Sequence, residues 1–322
     1  ISHIAALIRF HHVFWDNGKG RTFQGLEVPL GSHILNLADR VAVLIDKNRE
    51  ILGQVNTITE KLKLQSGKMF NPELVNAFTD LAAKEYFWFE AAAPQRESIM
   101  FRGVQKSFIL LDMEMLLSFT QLFSRIIDFR SRHTATHSSG VAVVAETLAG
   151  LTGFSSRECR LIRIAGYLHD LGKLSVPTEI LDKAGPLTAD EFNIVKRHPF
   201  YTFQLIEQIG NLGDIKGWAA YHHEKMNGTG YPYHLTDQNL SLGSRITMVA
   251  DIFTALTEDR PYRKGLPTDM VFSILTDKAS NNELDANLVG LLKNNFSKID
   301  TLRLKTQQDA WKEYQSIGIE EV

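Results

Sequence analysis

Residues 222–232 of the chain read His222-His223-Glu224-Lys225-Met226-Asn227-Gly228-Thr229-Gly230-Tyr231-Pro232. A His169-Asp170 pair precedes this segment and Asp251 follows it, at separations that suit several helices arranged around one pocket. Neutral imidazoles and carboxylates hold divalent metals such as iron, manganese, nickel or zinc, and a carboxylate can bridge two ions. The pattern therefore indicates a hydrolase with a two-metal centre.

The composition is that of a globular protein, with 322 residues of which 44% are hydrophobic and 22% are charged. This length allows two domains. The net charge of -2 gives no bulk attraction to nucleic acid or to acidic membranes, so any recognition of phosphate must be local. We therefore expect no binding to duplex nucleic acid.

Cysteine use and the N-terminal residues bear on location. The single cysteine, Cys159, excludes an internal disulfide framework and a thiolate zinc cluster, which fits a reducing compartment. No run of about 18 apolar residues is present to span a membrane. The start, Ile1-Ser2-His3-Ile4, is neither a signal-peptide n-region nor a natural initiator. We expect a cytoplasmic protein in which Ile1 lies inside a longer polypeptide.

The chain contains an internal repeat. His11-His12 and His222-His223 are 211 residues apart, and the segments that follow them, 30–39 and 242–251, share Leu-Gly-Ser, an isoleucine and a final Ala-Asp at a separation of 212 residues. Such agreement with one gap implies two copies of one helical domain. The first copy is incomplete and corresponds to the C-terminal part of the domain only, because nothing before His11 can supply an equivalent of His169-Asp170. The apolar pair Val13-Phe14 also replaces Glu224-Lys225. We therefore expect a structural or regulatory role for it.

Apolar residues at helical spacing predict an all-α fold of two tandem helical bundles. A domain boundary is expected in the Ala91–Gln95 segment, which gives domains 1–95 and 96–322. No alternating pattern is long enough to predict a sheet. The predicted helices are Leu110–Ile127, Val141–Leu151, Ser156–Leu168, Thr188–Ile209, which opens with a hydroxyl N-cap and an acid three residues later, and Leu242–Thr257.

Seven candidate metal ligands fall within about 115 residues of the second copy: His137, His169, Asp170, His198, His222, His223 and Asp251. If Asp170 bridges two ions, one ion can take His137, His169 and Asp251, and the other the remaining three histidines. Water shared by two dications is deprotonated near neutral pH and becomes a nucleophile. A lone histidine is more often an ordinary core or surface group, but adjacent ionisable pairs beside apolar helices are costly to bury without a partner.

The second copy resembles the HD-GYP phosphodiesterases, a branch of the HD-domain metallohydrolases. The matching motifs cover roughly 110–296 and are His169-Asp170-Leu171-Gly172-Lys173, His198-Pro199, His222-His223-Glu224-Lys225 with Asn227-Gly228 and Gly230-Tyr231-Pro232, and Val249-Ala250-Asp251 with Arg260-Pro261-Tyr262-Arg263. The resemblance implies a helical fold and hydrolysis of a cyclic dinucleotide, either cyclic di-GMP or 3′,3′-cyclic GMP-AMP. It also implies two or three divalent ions, with Fe or Mn first and Ni, Zn or Mg as alternatives, and a tandem arrangement with a degenerate first HD domain is known in the branch.

Carried over residue by residue, the resemblance assigns catalysis to Asp170 and Lys173, with Lys173 at a phosphate oxygen. Arg260 and Arg263 are expected to hold the other phosphates, with solvated surface arginines as the alternative. Tyr231 either stacks on a base or fixes the loop.

The chain departs from the family pattern at two informative positions. His133 stands where some three-metal members place a glutamate, so it either replaces that ligand or the third metal is absent, and we favour two metals. Thr202 stands where a glycine usually follows the His198-Pro199 motif, a change expected to affect packing more than ligation.

Two rival functions belong to other classes. A weakly active cyclic-dinucleotide receptor would keep the pocket but lose ligands, and a protein-docking scaffold would explain the first copy but not the second. A phosphohydrolase acting on mononucleotides would not require the Gly230-Tyr231-Pro232 loop. The sequence leaves the oligomeric state open, including a homodimer.

Overall fold

The computed structural model describes residues 2–93, 111–129, 136–209, 212–259 and 264–316. Two compact units, Ile1–Val104 and Gln105–Val322, divide the chain. Apart from one short hairpin, the regular structure of the described residues is helical, which confirms the all-α prediction. The expected boundary after residue 95 falls outside the described residues and stays a prediction.

Unit 1 is a small helical bundle with a hairpin of two antiparallel two-residue strands, β1 (Thr22–Phe23) and β2 (Leu26–Glu27), which the sequence did not predict. Its core is built from large apolar side chains that include Ile58, Leu62 and Trp88. The helices are α1 (Ser2–Arg9), α2 (Leu30–Leu44), α3 (Val55–Lys63), α4 (Pro72–Ala82) and α5 (Glu85–Ala92).

Unit 2 is a larger bundle in which α7 and α8 pack closely at the centre and α13 and α16 pack on α7. A 3₁₀ turn, Leu171–Ser175, follows α8. The helices are α6 (Met113–Phe129), α7 (His137–Leu151), α8 (Ser156–Leu168), α9 (Thr178–Leu181), α10 (Ala189–Val195), α11 (His198–Ile209), α12 (Ile215–Ala220), α13 (Leu242–Thr257), α14 (Thr268–Ser280), α15 (Ala286–Asn294) and α16 (Phe296–Ser316).

Local sequence signals fix where several of these helices begin. The predicted N-cap at Thr188 is confirmed, because its side chain accepts from the N–H of Glu191 and the Glu191 carboxylate accepts from the N–H of Thr188. Ser155 and Glu158 form the same reciprocal arrangement at α8. Each such pair satisfies two amide groups that the first helical turn leaves without partners.

The prediction of one continuous helix from Thr188 to Ile209 is wrong, because α10 ends at Val195 and α11 begins at His198. Pro199 lacks an amide hydrogen, so it cannot donate to the carbonyl of Val195 as a continuous helix would require. The break places His198 at the first position of a new helix.

The two units share local structure that supports the repeat. The His11 imidazole bonds to the carbonyl of Ile8, and the His222 imidazole bonds to the carbonyl three residues before it. Ser32 and Ser244, at equivalent positions, each donate to a carbonyl near the preceding histidine pair. The helix pair α2–α4 in unit 1 corresponds to α13–α15 in unit 2, and the members of each pair contact one another.

No helix in the described part of the chain is both long enough and apolar enough to cross a membrane.

The close crossing of α7 and α8 gives a test of the fold. A Cβ atom at Gly166 would lie 2.5 Å from the Cα of Ala142, so Gly166→Ala is expected to lower the free energy of unfolding by about 1–3 kcal/mol through overpacking. At Gly150, near the end of α7, a Cβ would meet nothing nearer than 3.8 Å. Gly150→Ala is the control and should stabilise slightly. Urea unfolding of both variants measures this, and equal shifts in the same direction would refute the packing.

Candidate metal centre

The helices of unit 2 bring the seven predicted ligands together, six of them at or just beyond a helix end. His137 opens α7, His169 follows α8 directly, and His198 opens α11. His222 and His223 follow α12, and Asp251 lies on α13. All seven predicted ligands are buried except His223, which is half-buried.

The ligand atoms form three clusters, of which one, His169, Asp170 and His222, shares a residue with each of the other two. His137, His169 and Asp251 form one group and His198, His222 and His223 form another, each with its candidate ligand atoms within 4.8 Å of one another. These groups have the same membership as the two ligand sets inferred from the sequence. Asp170 lies between them, because its Oδ2 is 3.2 Å from the Nε2 of His169 and its Oδ1 is 3.4 Å from the Nε2 of His198.

Backbone carbonyls set the tautomers of three of these histidines. The Nδ1 atoms of His169, His198 and His222 lie 2.7–2.8 Å from the carbonyl oxygens of Gly166, Val195 and Ala219. A carbonyl oxygen can only accept, so each Nδ1 carries the hydrogen and each Nε2 keeps a free lone pair.

The carbonyl of Val195 is available to His198 because of Pro199. Pro199 has no amide hydrogen, and the carbonyl that it would have used accepts from the imidazole instead. The His198-Pro199 motif therefore positions a ligand as well as starting a helix.

The lone pairs fit a bound cation. The Nε2 atoms of His198 and His222 lie 3.1 Å apart, and in these tautomers two lone pairs face one another. The Nε2 of His169 is buried without a hydrogen bond. Buried polar atoms without partners are costly, and a divalent ion supplies the missing partner to all three nitrogens. The donor set therefore fits a metal.

The ionisation states suit ligation. Burial lowers the pKa of His198 to about 3 and that of His222 to about 4, so both imidazoles are neutral at physiological pH. Burial opposes ionisation of Asp170, but its interactions with the His169 imidazole and the Lys173 ammonium group hold the pKa of its carboxyl well below the usual range. Neutral imidazoles and an ionised carboxylate are the forms that bind metal.

Glu258 belongs to the site and was missed by the sequence analysis. Its Oε2 lies 3.0 Å from the Nδ1 of His137, whose Nε2 lies 3.1 Å from the Oδ1 of Asp251. Burial opposes protonation of His137, but the two carboxylates raise its pKa to about 10. A carboxylate on the outer nitrogen orients a ligating imidazole. The sequence carried one signal for Glu258, which is its position two helical turns after Asp251.

A second missed residue is Asp128 on α6. Its carboxylate accepts from the hydroxyl of Ser138, next to His137, at 2.8 Å. Burial raises the pKa of Asp128 to about 7. Nothing in the sequence motifs pointed to it.

A cavity of about 340 Å³ opens over the clusters. Six of the seven predicted ligands and Lys173 line it, and Ile252, Ala255 and Leu256 of α13 form an apolar wall. Lys173 donates to the Oδ2 of Asp170 at 2.6 Å. Burial opposes the charge on Lys173, but Asp170 raises its pKa, so the ammonium group stays charged at the cavity.

Glu224 binds the backbone that directly follows the Gly230-Tyr231-Pro232 loop. This buried carboxylate accepts from the N–H groups of Tyr233 and Leu235. The neighbouring Lys225 forms its ion pair with Glu283. The Tyr231 ring lies 5.0 Å from the ring of His223 at an interplanar angle of 32°. The loop therefore covers one side of the histidine cluster.

Thr202 joins the His169-Asp170 turn to α11. Its buried hydroxyl donates to the carbonyl of His169 at 3.0 Å and accepts from the N–H of Gly172 at 2.8 Å. A Cβ at Gly172 would lie 1.9 Å from the carbonyl oxygen of His198, so the turn and the helix are in direct contact. The substitution of threonine for the family's usual glycine thus adds two hydrogen bonds at this contact.

Three predicted residues, His133, Arg260 and Arg263, lie outside the described residues.

Comparison with known proteins places these observations in a family. A family model described as "HD domain" matches residues 121–288. The 3′3′-cGAMP-specific phosphodiesterases 1 and 3 of Vibrio cholerae serotype O1 are 29% and 33% identical over 95% and 81% of this chain, which covers 73% and 56% of their lengths. The cyclic di-GMP phosphodiesterase response regulator RpfG of Xanthomonas campestris pv. campestris is 36% identical over 47% of this chain and 41% of its own length. A crystal structure of the V. cholerae cyclic GMP-AMP-specific phosphodiesterase V-cGAP3 matches 92% of this chain and 68% of that one, with 25% identity and a TM-score of 0.43.

The hydroxyl of Thr202 provides a test of the site's construction. Thr202→Val keeps the shape but leaves the buried Gly172 N–H unpaired, which should cost about 1–3 kcal/mol of unfolding free energy. Thr202→Ser keeps the hydroxyl and is the matched control, expected to cost less. Chemical unfolding of the metal-free chain measures both, and a valine variant as stable as the serine variant would contradict the assignment.

Proposed function

Because the chain belongs to the HD-domain family, in its HD-GYP branch, we propose that it hydrolyses a cyclic dinucleotide at the cavity over the two ligand clusters. The observation that carries this proposal is the convergence of imidazole nitrogens and carboxylate oxygens on one cavity. This donor set is characteristic of metal-assisted hydrolysis of phosphate esters.

Metal dependence is a property of HD-domain hydrolases, and the site has the groups to support it. We propose two ions, with iron or manganese first and nickel, zinc or magnesium as alternatives. One is held by His137, His169 and Asp251, and the other by His198, His222 and His223. When bound, divalent ions supply Lewis acidity and make water a nucleophile near neutral pH.

Asp170 acts as the common ligand. Its two oxygens point to different clusters, with Oδ2 near His169 and Oδ1 near His198 and, at 3.9 Å, His222. A single carboxylate can join two ions in this arrangement, whereas an imidazole presents one lone pair.

Lys173 has two functions in the proposed reaction. Its ammonium group holds the Asp170 carboxylate through the 2.6 Å bond, and it faces the cavity where a phosphate would lie. A fixed positive charge there stabilises the negative charge that develops at phosphorus. Tyr231, Arg260 and Arg263 are proposed to contact the remainder of the substrate.

We further propose that 3′,3′-cyclic GMP-AMP is the preferred substrate and cyclic di-GMP the alternative. The relatives named for 3′3′-cGAMP in the comparison above match across both units, at 95% and 81% of the chain. RpfG, named for cyclic di-GMP, matches 47%. The two relatives named for 3′3′-cGAMP therefore align with most of this chain, and RpfG aligns with about half of it.

The first copy, expected as domain 1–95, is proposed to be a degenerate HD-like domain without catalysis. His12 and Asp39 are exposed, and the described residues of unit 1 contain no group of three ligand atoms close enough to hold an ion. Homodimer formation, a cytoplasmic location and the absence of duplex nucleic acid binding stay predictions.

Two substitutions separate the ligand from the charge donor. Asp170→Asn should abolish turnover and lower the metal content by half or more, because the common ligand is lost. Lys173→Met should retain the metal and lower kcat about a hundredfold, the size of effect expected when one charge-stabilising donor is removed. Lys216→Met, which removes an ammonium group paired with Glu207 on the surface, is the control. Elemental analysis after anaerobic preparation with Fe²⁺ or Mn²⁺, together with steady-state kinetics, measures both effects.

The assigned roles would be wrong if the Lys173 variant lost its metal or kept full activity. A chain with full metal content that bound the cyclic dinucleotide without hydrolysing it would instead be a receptor.

Substrate preference is measured by hydrolysis of 3′,3′-cyclic GMP-AMP and cyclic di-GMP in parallel with the same metal-loaded protein. We expect the larger kcat/KM for 3′,3′-cyclic GMP-AMP. An equal or larger value for cyclic di-GMP would reject the preference while leaving the reaction class intact.

A further inference from the structure

Helix α16 carries three polar side chains on one face. Asp300, Arg303 and Gln307 lie three and four residues apart, which is the spacing of neighbours on a helix surface. Arg303 and Gln307 are buried, with 3% and 8% of their surfaces exposed. Arginine is rarely buried to this extent unless its charge is paired, because an isolated buried charge is costly.

Two side chains of the same helix bind the Arg303 guanidinium. Its Nε and Nη2 atoms donate to the Oδ1 of Asp300 at 2.9 and 2.6 Å, and its Nη1 donates to the Oε1 of Gln307 at 2.6 Å. A guanidinium can only donate, so the Gln307 atom that faces it is the amide oxygen. The amide nitrogen of Gln307 is therefore free to donate elsewhere.

The amide nitrogen of Gln307 reaches the candidate metal centre. It donates to the Oε2 of Glu258 at 3.4 Å and to the carbonyl oxygen of Thr136 at 3.3 Å. The same Oε2 lies 3.0 Å from the Nδ1 of His137. Gln307 thus contacts both the carboxylate that holds the His137 imidazole and the residue that precedes His137 in the sequence.

His137 is oriented by a different kind of group from three of the other ligands. Backbone carbonyls, which the helices fix, accept from the imidazoles of His169, His198 and His222. The Nδ1 of His137 instead bonds to the side chain of Glu258, which has rotatable bonds. The orientation of His137 therefore depends on the groups that bind Glu258, and Gln307 is one of them.

Close packing of α16 on α7 limits the movement of Gln307. The two helices are in extensive contact. A Cβ atom at Gly140 of α7 would lie 2.9 Å from the Nε2 of Gln307 and 3.0 Å from its Cδ. The amide therefore lies directly against the α7 backbone, with no free space on that side.

We propose that Gln307, itself held by Arg303, positions His137 for metal binding. Hydrogen bonds connect Asp300 to Arg303, Arg303 to Gln307, Gln307 to Glu258 and Glu258 to His137. An imidazole binds a metal through one lone pair, so the group on its other nitrogen decides where that lone pair points. A Glu258 carboxylate fixed by Gln307 keeps the His137 ring in the orientation that ligation requires.

The inference adds a helix to the description of the site. Helix α16, Phe296–Ser316, lies after residues 121–288, which match the HD-domain family, so membership of that family does not by itself predict these contacts. The inference rests on the proposed function, because the position of a ligand matters only where a metal binds.

The test measures zinc affinity at two ligands of the same protein. With histidine-selective nitrogen-15 labelling, the Nε2 resonances of His137 and His222 are followed while a chelator buffer sets the free Zn²⁺ concentration. Gln307→Met removes the amide and keeps the length of the side chain. We expect the His137 midpoint to move to at least about tenfold higher free Zn²⁺, the loss typical when a group that orients a ligand is removed. The His222 midpoint should stay unchanged, because a backbone carbonyl orients that imidazole.

Two further variants separate the contacts. Arg303→Lys keeps the positive charge but replaces the planar fork with one ammonium group, which cannot hold Asp300 and Gln307 in the same geometry. We expect it to weaken zinc binding at His137 selectively, by less than Gln307→Met does. Gln308→Met is the matched control, because Gln308 is exposed on α16, and it should change neither midpoint.

The outcomes distinguish this inference from the proposed function. No zinc response at either histidine of the unsubstituted protein would reject the metal centre, and this inference with it. With a normal response there, an unchanged His137 midpoint in Gln307→Met would overturn the positioning role, and an unchanged midpoint in Arg303→Lys would remove Arg303 from it. Equal weakening at both histidines, or loss of binding at both, would also overturn it, because Gln307 would then support the fold of the unit and not the orientation of one ligand.

Discussion

The hydrogen bond from an imidazole Nδ1 to the carbonyl three residues earlier is the interaction on which the rest of this site depends. It recurs at His169, His198 and His222 and leaves each Nε2 lone pair free, and the Nε2 atoms of His198 and His222 then lie 3.1 Å apart. Lone pairs brought this close repel one another unless a cation lies between them. The fold thus places these nitrogen atoms where a cation stabilises them, before any metal binds.

The helical bundle provides the rigidity that holds such an arrangement. His169, His198 and His222 stand at or just beyond helix ends, where a carbonyl is free to accept from a side chain, whereas Asp251 lies within α13. The close approach of Gly172 to His198 and the hydroxyl of Thr202 keep two of these ends in register. Glu258 then orients His137 from the side away from the cavity.

The sequence predicted the features that depend on residue type and on local order. The N-cap at Thr188, the bounds of α8 and α13, and the grouping of the seven candidate ligands follow from capping chemistry, helical spacing and motifs. The break before His198 was visible in Pro199 but was overridden by continuous apolar spacing. Asp128 was not predictable and Glu258 was signalled only by its spacing from Asp251, because their importance comes from contacts with side chains 10 and 121 residues away, respectively.

The internal repeat shows that part of the local geometry is the same in the two units. Unit 1 keeps the imidazole-to-carbonyl bond at His11 and the capped helix α4. Its described residues contain no group of three ligand atoms close enough to hold an ion.

Nitrogen-15 NMR of the imidazoles, recorded before and after titration with Zn²⁺ as a diamagnetic probe, shows directly which ring nitrogen carries the proton and which binds the metal. His169, His198 and His222 should keep a proton on Nδ1, and their Nε2 resonances should shift strongly as zinc binds. If they bound zinc through Nδ1, or if their Nε2 resonances did not respond to zinc, the proposed basis of the metal centre would be contradicted.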